Sequence, residues 1–554
     1  MRSRRLAVPA VLVAAGVGLT PGIARAEPGA VQVDRGAAAA VAGESTAPGF
    51  GSPAERTVVA PKGAVAPRSG SSTTSVALYA TQWLAHTVDL RTFVSVSEAA
   101  GVEVTISWGD DSTSSFSADV PSYPSDIRTT RHTYAAVGSY DVKVTVKDAT
   151  HDTVATNEVE VTTAGAEFIP HAPTRLLDTR AGVGAAQAKV PARGSVALKV
   201  AGAADVPVGA AAVALNVTVT DTVGPGHISV ESRKDLAEGA ETSNLNFVAG
   251  QTVANLVVSA IGADGYVYLY NAGWEPVDLI ADVTGFFTHA NAGGYVSVAP
   301  VRAVDTRVGL GAAPAQVAGQ SSLDVRIAGR AGAPKGVTAV ALNLTVTGPQ
   351  EAGHLTAYPS GQTPPTTSSV NFAPGQTVAN AVIVPVGPDG TIRIRNGSWR
   401  PADVVVDVVG YYTPESRSAF VAAIVPFRVV DSRKDSWGRT AGPLAARGYY
   451  AMRNESDTTT PQVDGWMLNA TVTNTSGPGF LSVAPDPYVW SDYEKGTPAV
   501  PERPVASALN WTAGTTAANV AQTPGGKGGI VDIWNQGWGD VDFMVDLLGY
   551  YSTY

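Results

Sequence analysis

The stretch NAGWEPVDLIADVTGFF, residues 271–287, is written twice more in the same chain with small changes. The copies are NGSWRPADVVVDVVGYY at residues 396–412 and NQGWGDVDFMVDLLGYY at residues 535–551. An Asn, a Trp, two Asp and a Gly keep their places in all three copies. The residues between the two Asp are apolar on both faces of the predicted strand, which is the pattern of an inner β-strand. Active sites use these residue types, but so do repeated folds, and the copies alone do not separate the two uses.

Each copy closes a unit of about 125 residues that also carries three other shared motifs. Pro-x-Arg-x-x-Asp-(Thr/Ser)-Arg opens the unit, Leu-Asn-x-Thr-Val-Thr follows, and Gly-x-Thr-x-Ala-Asn precedes the closing stretch. The third copy carries an insertion of about 13 residues. The unit is much longer than a propeller blade or a solenoid rung, and it is long enough to bury its own core. We therefore expect three β-sandwich beads rather than one closed ring.

The sequence divides into six segments with different compositions. Basic residues, an apolar run and a small-x-small site make residues 1–26 a predicted signal peptide. Ala, Gly, Pro, Ser and Thr dominate residues 27–75, which predicts a disordered spacer. Alternating strand patterns fill the rest, so we predict an all-β protein of tandem β-sandwich domains. These domains are expected at residues 76–163, 167–289, 294–414 and 419–554.

The segment at residues 76–163 resembles a PKD domain, which is an Ig-like β-sandwich. The resemblance rests on Trp108 with the following Gly-Asp turn, and on the signature HTYAAVGSYDV at residues 132–142. Asp111 stands where a Gly is usual in the family. This resemblance implies a spacer or binding module without catalytic activity.

The three units resemble a repeat domain of secreted actinobacterial proteins, known by the phrases DTR, ALNVT, QTVAN and DVxGYF. In the first unit these phrases begin at Asp178, Ala214, Gln251 and Asp282. The third unit departs from them, with Ser432 in the first phrase and Thr515 in place of the Gln. The resemblance implies an exported, non-catalytic module, and it brings no established ligand.

The charge and the lack of cysteine limit the classes of partner. The 554 residues carry a net charge of −10, and four of the 38 basic residues but no acidic residue lie in the predicted signal peptide. An acidic chain repels nucleic acid and anionic lipid, so neither is an expected partner. The absence of Cys excludes disulfides and thiolate metal sites. We expect a secreted protein without membrane insertion, released or held non-covalently at the cell surface, with no cofactor and no metal.

The shared charged residues are predicted to form structural ion pairs. The two Asp of the closing strand are four residues apart, about 13 Å along a strand, which is too far to chelate one ion. Partly buried Asp residues need partners, and the opening motif supplies Arg. The predicted set comprises Arg175, Asp178, Arg180, Asp282, Arg302, Asp305, Arg307, Asp407, Arg428, Asp431, Arg433 and Asp546.

Two groups of aromatic residues are candidate ligand contacts. Tyr266, Tyr268 and Tyr270 share the strand face whose chemistry varies among the copies, so we expect that face to be solvated. Three Tyr in a row would offer a stacking platform for sugar rings, or they would stabilise the sheet by cross-strand pairing. Each repeat also has one loop Trp that either caps the core or stacks on a glycan. These residues are Trp274, Trp399 and Trp538.

No spacing of residues indicates an enzyme. The third unit has no His, and the chain has no zinc-binding His pair, nucleophile elbow or phosphate loop. The favoured hypothesis is a secreted, non-catalytic protein that binds extracellular glycan or cell-envelope polymer through its repeated modules. The alternatives are a structural or adhesion protein that makes protein–protein contacts, and an accessory subunit of a secreted hydrolase.

Overall fold

The computed structural model describes residues 31–34, 56–60, 62–63, 65–67, 73–237, 242–435, 440–453, 463–496 and 498–554. The predicted signal peptide and most of the predicted spacer lie outside these residues. Almost all of the regular secondary structure in the described chain is β-strand, nearly all of it paired antiparallel, and this confirms the all-β class of tandem sandwiches. No helix among the described residues is long and apolar enough to cross a membrane.

The first domain is a sandwich of two antiparallel sheets. Ten strands precede the repeats: β1 (Val31–Asp34), β2 (Val58–Ala60), β3 (Val65–Pro67), β4 (Thr74–Gln82), β5 (Thr87–Val96), β6 (Ala100–Ser107), β7 (Thr113–Val120), β8 (Ser125–Thr133), β9 (Ser139–Asp148) and β10 (Thr153–Thr162). One sheet has the order β3-β10-β9-β6-β7 and the other has the order β2-β4-β5-β8. Trp108 and Tyr134 are fully buried between them, and Tyr134 Oη donates to the Trp108 carbonyl at 3.0 Å.

The predicted spacer extends too far along the chain. Strands β2 and β3 lie within residues 27–75, yet β2 pairs with β4 and β3 pairs with β10. Each of these strands has only three residues, too few to show a periodic pattern. Their pairing comes from the neighbouring strand, which composition cannot reveal.

The described residues of each repeat form eight strands, and the first two repeats share one layout. The first repeat has β11 (Glu167–Asp178), β12 (Ser195–Lys199), β13 (Ala212–Thr220), β14 (Gly226–Glu231), β15 (Leu245–Phe247), β16 (Val253–Ala260), β17 (Tyr266–Asn271) and β18 (Asp278–Thr288), with the short helix α1 (Lys234–Ala237). The second has β19 (Gly294–Asp305), β20 (Ser322–Arg326), β21 (Ala339–Thr347), β22 (Gly353–Pro359), β23 (Val370–Phe372), β24 (Val378–Pro385), β25 (Thr391–Asn396) and β26 (Asp403–Thr413).

The third repeat keeps this layout and adds a short helix in its insertion. Its elements are β27 (Ala419–Asp431), β28 (Tyr449–Arg453), β29 (Gly465–Thr473), β30 (Gly479–Pro485), α2 (Trp490–Glu494), β31 (Leu509–Trp511), β32 (Ala517–Thr523), β33 (Ile530–Asn535) and β34 (Asp542–Ser552). In every repeat the first, eighth, third and sixth strands form an inner sheet, and the second, seventh, fourth and fifth form an outer sheet. Strand β1 adds to the outer sheet of the third repeat by parallel pairing with β28.

The central strand of each inner sheet is buried on both faces. All nine residues of β13 are buried. Val213 and Leu215 pack into the core of their own sandwich, while Ala212 and Ala214 belong to a second core that all three repeats share. The small alanine side chains let the inner sheets of neighbouring repeats approach closely. Burial on two sides explains why the Leu-Asn-x-Thr-Val-Thr motif lacks charge.

The Gly of the closing stretch makes room for an aromatic ring. A Cβ at Gly285 would clash with the Phe168 ring, and a Cβ at Gly410 would clash with the Tyr295 ring. In both repeats the ring belongs to the opening strand and the Gly to the closing strand, which pair in the inner sheet. The ring therefore lies directly over its neighbour's backbone, which only Gly permits.

The three repeats close into a ring, so the expectation of separate beads was wrong. Aromatic rings of successive repeats pack together around the shared core: Phe168 with Tyr412 at 4.4 Å, Tyr295 with Tyr551 at 4.1 Å, and Phe420 with Phe287 at 4.6 Å between ring centroids. These contacts join the first repeat to the second, the second to the third, and the third back to the first. The sequence does not predict the ring, because an apolar second face on a strand does not show which surface packs against it.

A cycle of side-chain hydrogen bonds follows the same order around the ring. Asn216 donates to the Ser368 carbonyl at 2.6 Å, Asn343 donates to the Ser507 carbonyl, and Asn469 donates to the Ser243 carbonyl at 2.6 Å. Each Asn comes from the Leu-Asn motif of one repeat, and each Ser precedes the short fifth strand of the next. The Asn of the Leu-Asn motif therefore hydrogen-bonds each repeat to the next.

The first sandwich docks on the third repeat of the ring. Arg417 donates to the Tyr134 carbonyl at 3.1 Å, the His86 amide donates to the Tyr554 carbonyl at 2.6 Å, and Tyr550 Oη donates to the Trp83 carbonyl. Leu84, beside these contacts, is buried in the same apolar cluster as the core of the third repeat.

Candidate ligand-binding surface

The Asn that begins each copy of the opening stretch holds a tight loop in place. Asn271 is fully buried; its Nδ2 donates to the Glu275 carbonyl at 2.9 Å, and its Oδ1 accepts from the Gly273 amide at 2.9 Å. Nδ2 also donates to the Pro191 carbonyl at 3.1 Å, which ties this loop to the preceding turn. A buried amide with both of its functions satisfied fixes the loop backbone.

The same arrangement holds the loops of the other two repeats. Asn396 donates to the Arg400 carbonyl at 2.9 Å and accepts from the Ser398 amide at 3.0 Å. Asn535 donates to the Gly539 carbonyl at 2.9 Å and accepts from the Gly537 amide at 2.8 Å. The sequence shows these Asn residues only as repeated polar positions, and the structure identifies them as loop anchors.

Each anchored loop presents an exposed tryptophan. Trp274 is 77% exposed, Trp399 is 78% exposed and Trp538 is 72% exposed. The alternative that these residues cap the core is therefore wrong. An indole ring left in water on a rigid loop is an available stacking surface, and it carries an N–H donor at its edge. The structure thus offers three such surfaces at equivalent places.

A residue of the preceding turn contacts each Trp loop, and its sequence pattern alone does not mark it as part of the site. Arg193 lies with Cζ 5.4 Å from the Trp274 ring centroid and donates to the Ala272 carbonyl at 3.0 Å. Arg447 lies 5.0 Å from the Trp538 ring centroid. Both cations are close enough to interact with the ring face. An Arg-Gly pair at the same offset in two repeats was the available sequence signal.

The second repeat has Gln320 at this turn instead of Arg. Its Nε2 donates to the Gly397 carbonyl at 2.7 Å and to the Ser398 carbonyl at 3.0 Å. Arg193, Gln320 and Arg447 all adopt a positive φ, at 55°, 57° and 61°. This conformation is costly for residues other than Gly, and it recurs beside each exposed ring. The loop geometry is therefore conserved among the repeats although the cation is not.

The three Tyr of β17 do not form an open stacking platform. Tyr270 is only 3% exposed, while Tyr266 and Tyr268 are half-buried. Lys199 lies over the Tyr266 ring at 4.6 Å, and Tyr268 Oη donates to Asp264 Oδ2 at 2.6 Å. The loop Trp rings are more accessible than these Tyr rings, because each keeps at least 72% of its surface exposed even where Arg193 or Arg447 contacts the ring.

The corresponding strand face of the third repeat is buried, so the expected solvation of this face fails there. Ile530, Asp532 and Trp534 of β33 are all at most 1% exposed. Trp490 of α2 belongs to the same apolar cluster as Trp534, so the insertion covers the face. Burial and the nearby Asp486 carboxylate raise the pKa of Asp532 well above its usual value. In the third repeat the residues on this strand face differ because the insertion packs over them, and not because solvent contacts them.

The structure brings together the Arg and Asp residues of the opening and closing strands. Arg175 of β11 contacts Asp282 of β18 through two bonds, Nε to Oδ1 at 2.8 Å and Nη2 to Oδ2 at 3.3 Å. Arg175 Nη1 also donates to Asp178 at 3.1 Å, and Asp178 accepts two bonds from Arg180, at 2.9 and 2.8 Å. A chain of two cations and two carboxylates thus joins two neighbouring strands of the inner sheet, β11 and β18.

The other two repeats have the same chain of ion pairs. Arg302 Nε donates to Asp407 Oδ1 at 2.9 Å, Arg428 Nε donates to Asp546 Oδ1 at 2.7 Å, and Arg307 and Arg433 donate to Asp305 and Asp431. Burial raises the pKa values of Asp282, Asp407 and Asp546, and the Arg partners offset part of that rise. Hydrogen bonds from the second Arg lower the pKa values of Asp178, Asp305 and Asp431.

The first Asp of the closing strand has a different partner from the second. Thr179 Oγ1 donates to Asp278 at 2.7 Å, and Ser432 Oγ donates to Asp542 at 2.7 Å. This explains why the opening motif keeps Thr or Ser between its Asp and its second Arg. Among the described residues, no group of three acidic or His side chains is arranged to hold a metal ion.

Comparison with models of protein families and with curated proteins gives no match for this chain. Its function therefore has to be inferred from the geometry of the ring and its exposed groups.

Proposed function

We propose that this is a secreted, non-catalytic protein that binds extracellular glycan or cell-envelope polymer through the three Trp loops. The exposure of Trp274, Trp399 and Trp538 on anchored loops carries the proposal. Sugar rings have an apolar face that stacks on indole, and a rigid loop loses little conformational entropy on binding. The closed ring fixes the relative positions of the three loops, which suits a polymer with repeating units.

Three linked sites strengthen weak binding to a repeating ligand. Each stacking contact is weak, but tethering makes the second and third contacts intramolecular and can raise the overall affinity by about 10²–10⁴. The net negative charge of the chain favours a neutral polymer over a polyanion. The first sandwich, docked on the third repeat, is assigned a spacer role in this proposal.

The test is retention on insoluble chitin, cellulose and purified cell wall. The triple variant Trp274→Ala, Trp399→Ala, Trp538→Ala is expected to bind at least tenfold more weakly than the native chain, and each single variant is expected to lose a smaller share. Melting temperatures should not change, because the rings are exposed. Tyr123, 64% exposed on the first sandwich, provides the matched control as Tyr123→Ala.

Two outcomes would contradict the proposal. If the triple variant is retained like the native chain, then the Trp loops do not bind the polymer. If the native chain is retained by none of the three materials, then a scaffold or adhesion role with protein partners is favoured instead.

A further inference from the structure

A pocket lies where the three repeats meet. Its walls are made by equivalent short segments of each repeat, and a water-sized sphere can reach about 90 Å³ of it. This is room for the end of a ligand rather than for a whole one, since ligand clefts in proteins commonly have about 300–1,000 Å³. The lining residues that occur in equivalent sets are Asn246, Asn371 and Asn510; Gln251, Gln376 and Thr515; and Thr252, Thr377 and Thr516.

The pocket ends inside the ring rather than passing through it. Asn255, Ala379 and Ala518 line it, and the strands that carry them continue directly into the shared apolar core at Leu256 and Val520. A ligand can therefore enter only by an end. The lining contains no charged side chain, so an ionised group brought into the pocket would lose hydration without gaining a partner.

The polar groups of the pocket require a ligand that both donates and accepts hydrogen bonds. Asn510 Oδ1 is buried and has no partner among the described residues. Asn246 and Asn371 use Oδ1 to accept from Ser243 and Ser368, at 3.2 and 2.9 Å, and their Nδ2 groups have no protein partner in the described part of the chain. An unpaired acceptor beside unpaired donors matches a hydroxyl group, which fills both roles.

The Gln of the repeated Gln-Thr-Val-Ala-Asn phrase also supplies a free donor. Gln251 Oε1 accepts from the Val248 amide at 3.1 Å, and Gln376 Oε1 accepts from the Ala373 amide at 2.9 Å. These bonds fix each side chain, and both Nε2 groups are without a partner in the described residues. The third repeat has the shorter Thr515, whose hydroxyl donates to the Thr512 carbonyl at 2.7 Å. One side of the pocket is thus wider than the other two.

We propose that this axial pocket binds the neutral end of a saccharide chain. A peptide end carries an ammonium or a carboxylate, for which the pocket has no partner, whereas a saccharide end is uncharged and carries several hydroxyls. Trp511, which is 5% exposed and packs in the core of the third repeat, forms the wall behind Thr512 and Thr515 on the wider side. The asymmetry selects one orientation, which a perfectly threefold site could not do. The proposal does not depend on the Trp loops.

The experiment measures cellotriose and chitotriose binding to the whole chain by saturation-transfer NMR and calorimetry. Asn510→Leu keeps the side-chain size but removes the unpaired acceptor and the amide donor, and it is expected to weaken binding at least tenfold. Thr515→Gln fills the wider side and is expected to do the same. Asn291→Leu, in an exposed loop, is the matched control and should bind like the native chain.

The triple Trp→Ala variant separates this proposal from the function proposed above. It is expected to keep trisaccharide binding in the axial pocket even when it has lost retention on polymer. The inference is overturned if neither trisaccharide binds the native chain at millimolar concentration. It is also overturned if Asn510→Leu and Thr515→Gln both fold and bind like the native chain, or if N-acetyl-trialanine amide binds more tightly than both saccharides.

Discussion

A single type of residue does two unrelated tasks in each repeat. Asn271 uses both amide functions to fix the loop that presents Trp274, whereas Asn216 reaches across to the Ser368 carbonyl of the next repeat. Both are buried, so each must find partners, and the partners decide the task. At this scale the exposed side chain is the functional candidate, and the buried polar one supports it.

Glu231 is a residue whose ionisation should make stability depend on pH. It is 2% exposed; Oε1 accepts from Thr242 Oγ1 at 3.3 Å, while Oε2 is buried without a partner in the described residues. Burial raises its pKa from 4.5 to about 7. The unfolded chain therefore releases this proton at a lower pH than the folded chain, so stability falls as pH rises from about 4.5 to about 7.

The size of this effect follows from the shift in pKa. The difference between a pKa of 4.5 and a pKa of about 7 corresponds to about 3 kcal/mol of unfolding free energy. This contribution is fully present below pH 4.5 and is lost above pH 7. Glu231→Gln should remove that dependence, so its stability relative to the native chain should rise between pH 4.5 and 7.5. Urea unfolding across this range provides the measurement. Glu103→Gln, on an exposed strand face, is the control, and equal pH slopes for the native chain and Glu231→Gln would refute the assignment.

The opening and closing strands of each repeat are joined by the chain of ion pairs. Arg175 and Asp282 face each other in the register of β11 and β18, and Asn216 of β13 faces the same Asp from the other side. The strand pairing thus brings residues about a hundred positions apart into contact. The Arg of the opening motif therefore finds its carboxylate partner only in the closing motif at the other end of the unit.

Arg175→Met should lower the stability of the ring without affecting the Trp loops. The variant leaves Asp282, which is 1% exposed, without its cation, and removing one partner of a buried pair costs about 3–5 kcal/mol. A fall in the melting temperature and unchanged retention on polymer are expected. Lys143→Ala, which breaks an exposed pair with Glu158, is the control and should change little. A native melting temperature for Arg175→Met would count against a structural role for the pair.

The three repeats share one core, so at the scale of the whole molecule they should respond together. Ala341 of the second repeat lies in the shared core and is fully buried. Ala341→Asp places an unpaired carboxylate there, which is strongly destabilising. Amide hydrogen exchange should therefore speed up in β13 and β29, the equivalent strands of the other repeats, as well as in β21.

A variant at an exposed site of the same repeat provides the comparison for this experiment. Trp399→Ala should leave exchange in all three strands unchanged. If Ala341→Asp speeds exchange only in the second repeat, then the repeats behave as independent beads and the shared core does not couple them.

Local patterns in the sequence were enough to predict the strands, the threefold repetition and the pairing of Arg with Asp. The pattern of apolar residues shows which faces of a strand are buried, and it can be read from residues close in the sequence. The pairing of Arg with Asp could be predicted because a buried carboxylate requires a cation and both residues recur in every repeat. The first sandwich was likewise predicted from its own strands, apart from the three-residue strands β2 and β3.

The ring, the exposure of the Trp loops and the axial pocket depended on packing between distant segments. The second face of β13 looks like that of any inner strand, and its alanines do not say that two other repeats cover it. Trp274 and Trp534 have the same side chain, yet one is exposed on an anchored loop and the other is buried under an insertion. Burial is a property of what surrounds a residue, and the surroundings here come from segments that are distant in the sequence.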